Sequence, residues 1–411
     1  MSCSNSTSSS NPLDEPDGLE SQFGLMPAAL DYGAAEELGV KWDRTFFEVF
    51  SWDTIQPSGN TFSWETTDAY ILDAQEYGIN VLVTIKPFAS WDQETCHQDL
   101  TAVEGFDSTM GKPCDEDAYK TFVSALVERY DGDGVNDMTG LTRPVRYWEV
   151  GNEPSGQIAP LIFFQGSSAD FLDLMQMSYE AIKQADSNAI VVQGGMAAVD
   201  ESRLDFWEPI LAGGGGDYFD IANLHSIDYG ESLDLPIFKD FLEEYNIDKP
   251  FWVTELQLGG MTIENPTDNS MAASLARSMI YALANEASKL FYVQLTTPPG
   301  EDSENSAFET SASLIDSNGQ PQPIYYAFQT VMQKLDGFTD VEILEEKIDA
   351  LIISKAKYKF TIDGAVLYVI WGDVDVSGLT GEAHITDCLG DKSEDEIANL
   401  AVSDCPLFLS F

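Results

Sequence analysis

Short apolar runs alternate with longer segments of helical periodicity from about residue 22 to residue 335. The runs cover residues 21–26, 44–50, 80–85, 145–151, 189–195, 219–225, 250–255 and 289–296. Between them, segments such as 115–130 and 271–284 repeat their apolar residues every three or four positions. Runs that are apolar at nearly every position are typical of parallel strands covered on both faces. Eight such βα units predict a closed (β/α)8 barrel, with a doubly wound open sheet as the alternative.

The pattern changes near Val341 to closely spaced strand-like runs with an Asp363-Gly364 turn signal. This change predicts a small antiparallel β domain, with no helix before the acidic stretch near 391–400. The predicted domains are therefore a flexible tether over residues 1–20, a barrel over 21–338 and a β domain over 339–411. A chain of 411 residues also exceeds the usual size of a single core.

Acidic residues outnumber basic ones by 70 to 20, which gives a formal net charge of −50. Such a field repels nucleic acids and anionic membranes, so neither is expected as a partner. The acidic residues are spread along the chain, as on the hydrated surface of a salt-adapted or secreted protein.

The first residues, MSCSNSTSSSNPLDEPDG, place Cys3 in a polar tract typical of a flexible tether. The tract resembles the mature start of a bacterial lipoprotein, which implies a lipid on Cys3 and a cell-surface or periplasmic location; an arbitrary chain start is the alternative. We find no run of the ~18–20 apolar residues that a spanning helix needs, and no signal peptide.

The other four cysteines form two pairs, each within one loop-like region: Cys96 with Cys114, and Cys388 with Cys405. No zinc-type spacing is present. Two disulfides indicate an oxidising compartment, and free buried thiols are the alternative.

Two glutamates stand where apolar runs end. Glu153 follows the fourth run in YWEVGNEPS, and Glu255 closes the seventh in FWVTELQLGG. The carboxyl ends of barrel strands meet at one rim, so the two side chains are expected to face each other. One carboxyl group that protonates a leaving oxygen and another that meets an oxocarbenium ion are what glycosidic bond cleavage requires.

Asn152-Glu153-Pro154 and Thr254-Glu255 resemble the motifs of the clan A retaining glycoside hydrolases, in the order and at the strands that this clan uses. The resemblance covers about residues 22–335. Within the clan, the chain resembles enzymes of families 39 and 5, and the motifs do not select one family. It implies a (β/α)8 enzyme with Glu153 as acid/base and Glu255 as nucleophile. Asn152 would hold the sugar 2-hydroxyl, and no cofactor would be needed.

The resemblance also assigns Arg44, at the start of the predicted second strand, to keeping the nucleophile ionised. A structural ion pair with Glu48 or Asp43 is the alternative. His225 and Tyr229 would supply a polar partner of the nucleophile, although His225 also fits a buried core histidine.

The remaining candidates for substrate binding follow other strands. Trp91, which we place at the end of the third strand, and Trp52 after the second are predicted to offer flat faces to sugar rings. Lys86 stands where some families of the clan carry a histidine, and Gln294 follows Tyr292 where a tryptophan is common. We expect four further tryptophans to lie in the core: Trp42, Trp148, Trp207 and Trp252.

The chemistry sets requirements for the two glutamates. Glu255 must be charged, whereas Glu153 must hold a proton, for which a drier setting near Trp148 or Trp91 is expected. The predicted separation of the carboxyl groups is about 5–5.5 Å, as in retaining enzymes.

Three widely spaced histidines give no metal site. Oxygen ligands at Asp131, Asp133, Asn136 and Asp137 have spacings that fit calcium, but the glutamate of an EF-hand is missing and a polar loop is the alternative.

The sequence thus predicts a secreted or surface-tethered retaining glycosidase acting on β-linked glucan, xylan or mannan. The alternatives are a surface carbohydrate-binding protein without turnover and a structural envelope lipoprotein.

Overall fold

The computed structural model describes residues 16–59, 61–103, 108–158, 161–227, 230–258, 268–296 and 312–411. The chain forms two compact units. One comprises residues up to 19, 43–195 and 201–221, and the other comprises residues 20–42, 196–200 and 222–411. Cys3, the proposed lipid carrier, lies outside the described residues, as does most of the predicted tether.

The strands of the first 300 residues are, in chain order, β1 (Phe23–Leu25), β2 (Trp42–Arg44), β3 (Phe50–Ser51), β4 (Asn80–Lys86), β5 (Tyr147–Val150), β6 (Gln157–Ile158), β7 (Leu161–Ile162), β8 (Ile190–Val192), β9 (Ala222–Ile227), β10 (Phe251–Gln257) and β11 (Ala287–Tyr292). The α-helices are α1 (Tyr32–Leu38), α2 (Trp52–Ile55), α3 (Glu65–Glu76), α4 (Ser90–Cys96), α5 (Glu116–Tyr130), α6 (Ser168–Ala185), α7 (Glu201–Ala212), α8 (Leu235–Glu244), α9 (Asp268–Ala284) and α10 (Pro323–Leu335).

Eight of the described strands form a parallel sheet in the order β8-β5-β4-β2-β1-β11-β10-β9, and β3 pairs with β4. In the first unit β4 pairs with β5, and β5 with β8. In the second unit β1 pairs with β11, and β10 with both β9 and β11. Parallel neighbours require crossover connections, which the helices supply. The fold class is therefore the predicted (β/α)8 barrel.

Continuous burial explains why the apolar runs become strands. All seven residues of β4 are buried, and six of seven in β10. Strands covered on both faces show no inside-outside alternation. The four tryptophans predicted for the core are confirmed there, with at most 4% of their surface exposed.

The predicted second strand is wrong in its bounds. The run at 44–50 was expected to be a strand, but β2 ends at Arg44 and a turn closes from Phe46 to Val49 before the short β3. Phe47 lies in this turn, and its side chain is buried, with 5% exposure. The run is therefore apolar because a loop is buried there, and not because it forms a strand. Arg44 consequently lies at the carboxyl end of its strand and not at the start.

The C-terminal residues form a six-stranded antiparallel sheet, as predicted. Its strands are β12 (Asp340–Asp349), β13 (Ile352–Ile362), β14 (Ala365–Trp371), β15 (Glu382–Asp387), β16 (Lys392–Glu396) and β17 (Leu407–Ser410), in the order β12-β13-β14-β17-β15-β16. Asp363 and Gly364 turn β13 into β14 with φ of 51° and 78°, the conformation of a type I′ hairpin. One core of this sheet contains Ile370, Ile385 and Leu409. The domain limits at residues 20 and 338 stay predictions.

The acidic stretch near 391–400, before which no helix was expected, itself contains a strand. β16 pairs with β15 and is exposed at all five of its residues, followed by a short 3-10 helix over Ile397–Asn399. A charged edge strand needs no apolar alternation, which is why the pattern gave no strand signal.

Both predicted disulfides are present. Cys96 bonds to Cys114 and Cys388 to Cys405, with Cα atoms 5.9 and 5.6 Å apart. Within the part of the chain that the structure covers, no helix has the length and apolar character to span a membrane.

Lys289 is a buried cation at the amino-terminal end of the sheet. Its Nζ lies 4.1 Å from the ring centroid of Trp42 and 5.3 Å from that of Trp252, and it donates a hydrogen bond to the Ser21 carbonyl. Burial lowers the pKa of its ammonium group to about 7, although Asp336 and Glu20 oppose the shift.

This pKa predicts a rise in stability at alkaline pH. Between about pH 7 and the ordinary lysine pKa, the unfolded chain binds a proton that the folded chain has released, so the free energy of unfolding increases with pH. We expect Lys289→Met to flatten this slope, measured by urea unfolding from pH 7 to 9.5. Lys347→Met, at a lysine whose side chain is 56% exposed, is the control. An unchanged slope in Lys289→Met would contradict the assignment.

Candidate active site

One group of candidate residues follows β5. After Val150 the chain turns through Gly151, with φ of 74°, and Glu153, with φ of 35°. The Glu153 carbonyl accepts a hydrogen bond from Gly156 N at 2.8 Å. A glutamate in this left-handed region is uncommon, and such conformations concentrate at functional positions. The half-buried Glu153 thus lies in a tight turn directly after β5.

Arg44 forms a buried ion pair with Glu149, a residue that the sequence did not single out. Its Nε lies 2.5 Å from Glu149 Oε2 and its Nη2 3.0 Å from Oε1, and the side chains are 1% and 0% exposed. Thr84 Oγ1 donates to the same carboxylate at 3.0 Å. Arg44 therefore has a structural ion pair, and the partner that the structure shows is Glu149, which the sequence analysis did not consider. The guanidinium charge is balanced locally by a carboxylate.

Asn152 completes this cluster. Its Oδ1 accepts a hydrogen bond from Arg44 Nη2 at 2.8 Å, and only 6% of its surface is exposed. A guanidinium group has donors only, so the amide oxygen must face Arg44 and the Nδ2 group must point away. Among the described residues, no protein group accepts a hydrogen bond from Nδ2.

A second group of candidate residues lies on β9 and β10. His225 Nδ1 lies 3.4 Å from Glu255 Oε1, and the imidazole is fully buried. The pairing of β10 with β9 is irregular between Val253 and Glu255. Irregularities of this kind re-aim side chains and are frequent next to active sites. The structure thus brings the predicted nucleophile and its predicted histidine partner together.

A hydrogen-bond chain orients the imidazole. Thr254 Oγ1 donates to Asn223 Oδ1 at 2.8 Å, and Thr254 Oγ1 lies 2.9 Å from His225 Nε2. Because the hydroxyl hydrogen goes to Asn223, the hydroxyl oxygen accepts the proton on Nε2. The other ring nitrogen, Nδ1, then faces the Glu255 carboxyl group. Asn223 has no signal of this role in the sequence, because nothing in a strand pattern indicates a buried polar partner.

The other polar candidates have contacts of their own. Lys86 ends β4 with its Nζ 5.5 Å from the Phe47 ring centroid. Burial lowers its pKa, while Glu48 and Asp53 act in the opposite direction. Gln294 is 8% exposed, with Nε2 3.5 Å from Ser313 Oγ. Tyr229 lies outside the described residues.

The two tryptophans proposed as sugar platforms differ. Trp52 is fully buried and packs against Trp91 with ring centroids 5.0 Å apart, so the prediction of an exposed face is wrong for Trp52. Trp91 lies in α4 rather than at a strand end, and its Nε1 donates to the Gln56 carbonyl at 2.7 Å. It is half-buried and lines a cavity of about 480 Å³ together with Asp92, Thr95, Cys114, Asp115, Glu116 and Asp117.

The acidic loop after α5 brings Asp131, Asp133 and Asp137 together, with carboxylate oxygens within 4.8 Å of one another. Burial, followed by the neighbouring carboxylates, raises the pKa of Asp131 to about 7. The Asn136 amide instead donates to Glu128 Oε1 at 3.4 Å. Three oxygen donors fit a hard cation such as calcium, which stays a prediction.

No protein-family model matches this sequence, and no curated protein sequence matches it. Solved structures do resemble it. A family 39 glycoside hydrolase from the gut symbiont Bacteroides cellulosilyticus WH2 is 17% identical with a TM-score of 0.67, over 95% of this chain and 80% of that one. A glucosidase from Croceicoccus marinus is 15% identical with a TM-score of 0.63, over 98% and 97% of the two chains.

A third similar structure is a GH5_18 protein from Streptomyces cattleya in complex with Manb1-4GlcNAc. It is 13% identical with a TM-score of 0.56, over 76% of this chain and 80% of that one. These neighbours are glycoside hydrolases with the barrel fold, as the sequence resemblance predicted. At these identities the likeness establishes the fold.

Proposed function

We propose that this protein is a retaining glycoside hydrolase that cleaves β-linked oligosaccharides or polysaccharides through Glu255 and Glu153. The observation that carries the proposal is the pairing of Glu255 with the oriented His225 in the carboxyl-terminal half of β10, which ends at Gln257. Glu153 lies just beyond the carboxyl end of β5. In (β/α)8 enzymes, catalytic groups come from these strand ends.

In the first proposed step, a Glu255 carboxylate oxygen bonds to the anomeric carbon while the glycosidic carbon–oxygen bond breaks. Glu153 gives its proton to the departing oxygen. In the second step the Glu153 carboxylate takes a proton from water, whose oxygen attacks the anomeric carbon and releases Glu255. Two displacements at one carbon leave the β configuration unchanged, and Glu153 ends protonated as it began.

His225 supports the charge that Glu255 needs. With Nε2–H held by Thr254, a second proton on Nδ1 would lie between the imidazole and Glu255 Oε1, 3.4 Å away. An imidazolium there favours the ionised carboxylate. Arg44, which pairs with Glu149 and donates to Asn152, would orient these polar groups.

The net charge of −50 favours a neutral glycan over an anionic one, because a polyanion would be repelled at long range. Glucan, xylan and mannan satisfy this condition. The two disulfides support a secreted, periplasmic or cell-surface location, and anchoring by a lipid on Cys3 is part of the proposal.

The function is tested by incubating the protein with β-glucan, xylan and mannan, sizing the products and following the first anomer by NMR. We expect the β-anomer to form first. An α-anomer would indicate an inverting enzyme. Glycan binding without turnover would favour a carbohydrate-binding protein, and neither binding nor turnover would favour a structural envelope protein.

Trp91 is expected to contribute to polysaccharide binding through its half-buried ring. Trp91→Ala should weaken affinity up to about 10-fold, because stacking on one aromatic face is worth on the order of 1 kcal/mol. Affinity electrophoresis in polysaccharide gels measures the effect. Tyr326→Ala removes another exposed aromatic ring, 44% exposed, and should leave mobility unchanged. Equal mobility of Trp91→Ala and the parent protein would remove Trp91 from the proposed site.

A further inference from the structure

We propose that Glu149 is a positioning residue that fixes the Asn152 amide through Arg44, and thereby sets recognition of the sugar hydroxyl next to the cleaved bond. The inference rests on the proposed glycosidase function. Glu149 itself is fully buried and would not touch the substrate. Its effect passes through two hydrogen-bonded side chains.

The hydrogens of Arg44 Nη2 are fully used. One is directed to Glu149 Oε1 at 3.0 Å and the other to Asn152 Oδ1 at 2.8 Å. Nε donates to the second carboxylate oxygen at 2.5 Å, so the guanidinium plane is fixed by a two-point contact. With that plane fixed, the remaining Nη2 hydrogen has one direction, toward Asn152.

The orientation of Arg44 determines the orientation of the amide. Asn152 Oδ1 faces the guanidinium, so Nδ2 is presented on the opposite side without an acceptor among the described residues. A free amide donor suits an oxygen acceptor such as a sugar hydroxyl. Contacts with the 2-hydroxyl strengthen in the transition state of glycoside hydrolysis, so precise placement of this donor would affect turnover more than substrate binding.

The Glu149 carboxylate also accepts a hydrogen bond from a residue of the neighbouring strand β4. Thr84 Oγ1 on β4 donates to Glu149 Oε2 at 3.0 Å, and Thr84 N donates to Thr45 Oγ1 at 2.9 Å. Without the carboxylate charge, Arg44 would lose this buried counter-ion and the two-point contact that fixes its plane. The amide would then lose its fixed partner.

The experiment compares an aryl β-glycoside with its 2-deoxy analogue in the parent protein, Glu149→Gln, Asn152→Ala and the double variant. Glutamine keeps the shape and removes the charge. We expect Glu149→Gln to lower kcat about 10-fold on the 2-hydroxy substrate with KM little changed, and to reduce the preference for that substrate about 10-fold. In the double variant the two losses should not add, because both act on one contact.

A purely structural role would lower activity equally on both substrates, and that result would overturn the inference. If Glu149→Gln does not fold by circular dichroism, Thr84→Val decides, because it removes one hydrogen bond to Glu149 and keeps the ion pair. It should shift the substrate preference in the same direction by a smaller factor; an unchanged preference overturns the inference. A parent protein that hydrolyses neither substrate contradicts the proposed function instead.

Discussion

Glu255→Ala is expected to lower kcat on aryl β-glycosides by about 10⁴-fold or more, the scale of losing a catalytic nucleophile. The variant should retain its fold, because the Glu255 side chain is paired with His225 at one carboxyl oxygen and is not part of the apolar core. The measurement is steady-state hydrolysis with circular dichroism as the fold control. Glu243→Ala, at an exposed helix position, should hydrolyse at the parent rate.

The configuration of the azide product distinguishes the roles of the two glutamates. In Glu255→Ala, azide can attack the anomeric carbon directly in a single displacement, so rescued activity should give an α-glycosyl azide. In Glu153→Ala, azide should replace water in the second step and give the β-product. The same azide configuration from both variants would refute the assigned roles, even if both lost activity.

Glu231→Ala is expected to cost about 3–5 kcal/mol of unfolding free energy, the effect of breaking a buried ion pair from one side. Glu231 is 1% exposed and accepts from Arg277 Nε at 2.9 Å, from Arg277 Nη2, from Ser274 Oγ at 2.7 Å and from Ile353 N at 3.0 Å. These donors come from α9 and from β13 of the C-terminal sheet. Removing the carboxylate leaves all of them unsatisfied.

The Glu231 prediction is measured by guanidinium unfolding followed by tryptophan fluorescence. Replacing both partners, as Glu231→Met with Arg277→Met, should recover much of the loss, because the uncompensated charge is then absent. Lys120→Ala breaks an exposed pair with Asp117, whose side chain is 97% exposed, and should change stability by less than about 1 kcal/mol. A loss from Glu231→Ala no larger than that of Lys120→Ala would contradict this account.

Local patterns predicted the elements that depend on burial and turn chemistry. The continuous apolar runs of β4 and β10 identified parallel strands, and Asp363-Gly364 identified the hairpin of β13 and β14. The predicted bounds of the second strand are wrong because Phe47 lies in a turn and is nevertheless buried. Burial alone does not distinguish a strand from a packed loop.

The candidate functional residues also fall into those that the sequence predicted and those that only the structure identified. The sequence shows Asn152 and Glu153 after the fourth apolar run and Glu255 at the close of the seventh, and their motifs predicted the chemistry. The predicted end of the seventh strand is wrong, because β10 continues beyond Glu255 to Gln257. Glu149 was missed because in YWEV it reads as one more strand residue, and its partner Arg44 is 105 positions away. Trp52 was expected to be exposed, but it packs against Trp91, Tyr119 and Phe122.

The sequence by itself determined the (β/α)8 architecture, the disulfide pairs and the strands next to or within which the two glutamates lie, because each depends on local composition or on counting. Only the tertiary structure decided which buried charges meet: Arg44 with Glu149, Arg277 with Glu231, and His225 with Glu255. The physical reason is that an ion pair forms where folding brings two side chains together. Periodicity along the chain fixes which residues are buried but does not specify their partners.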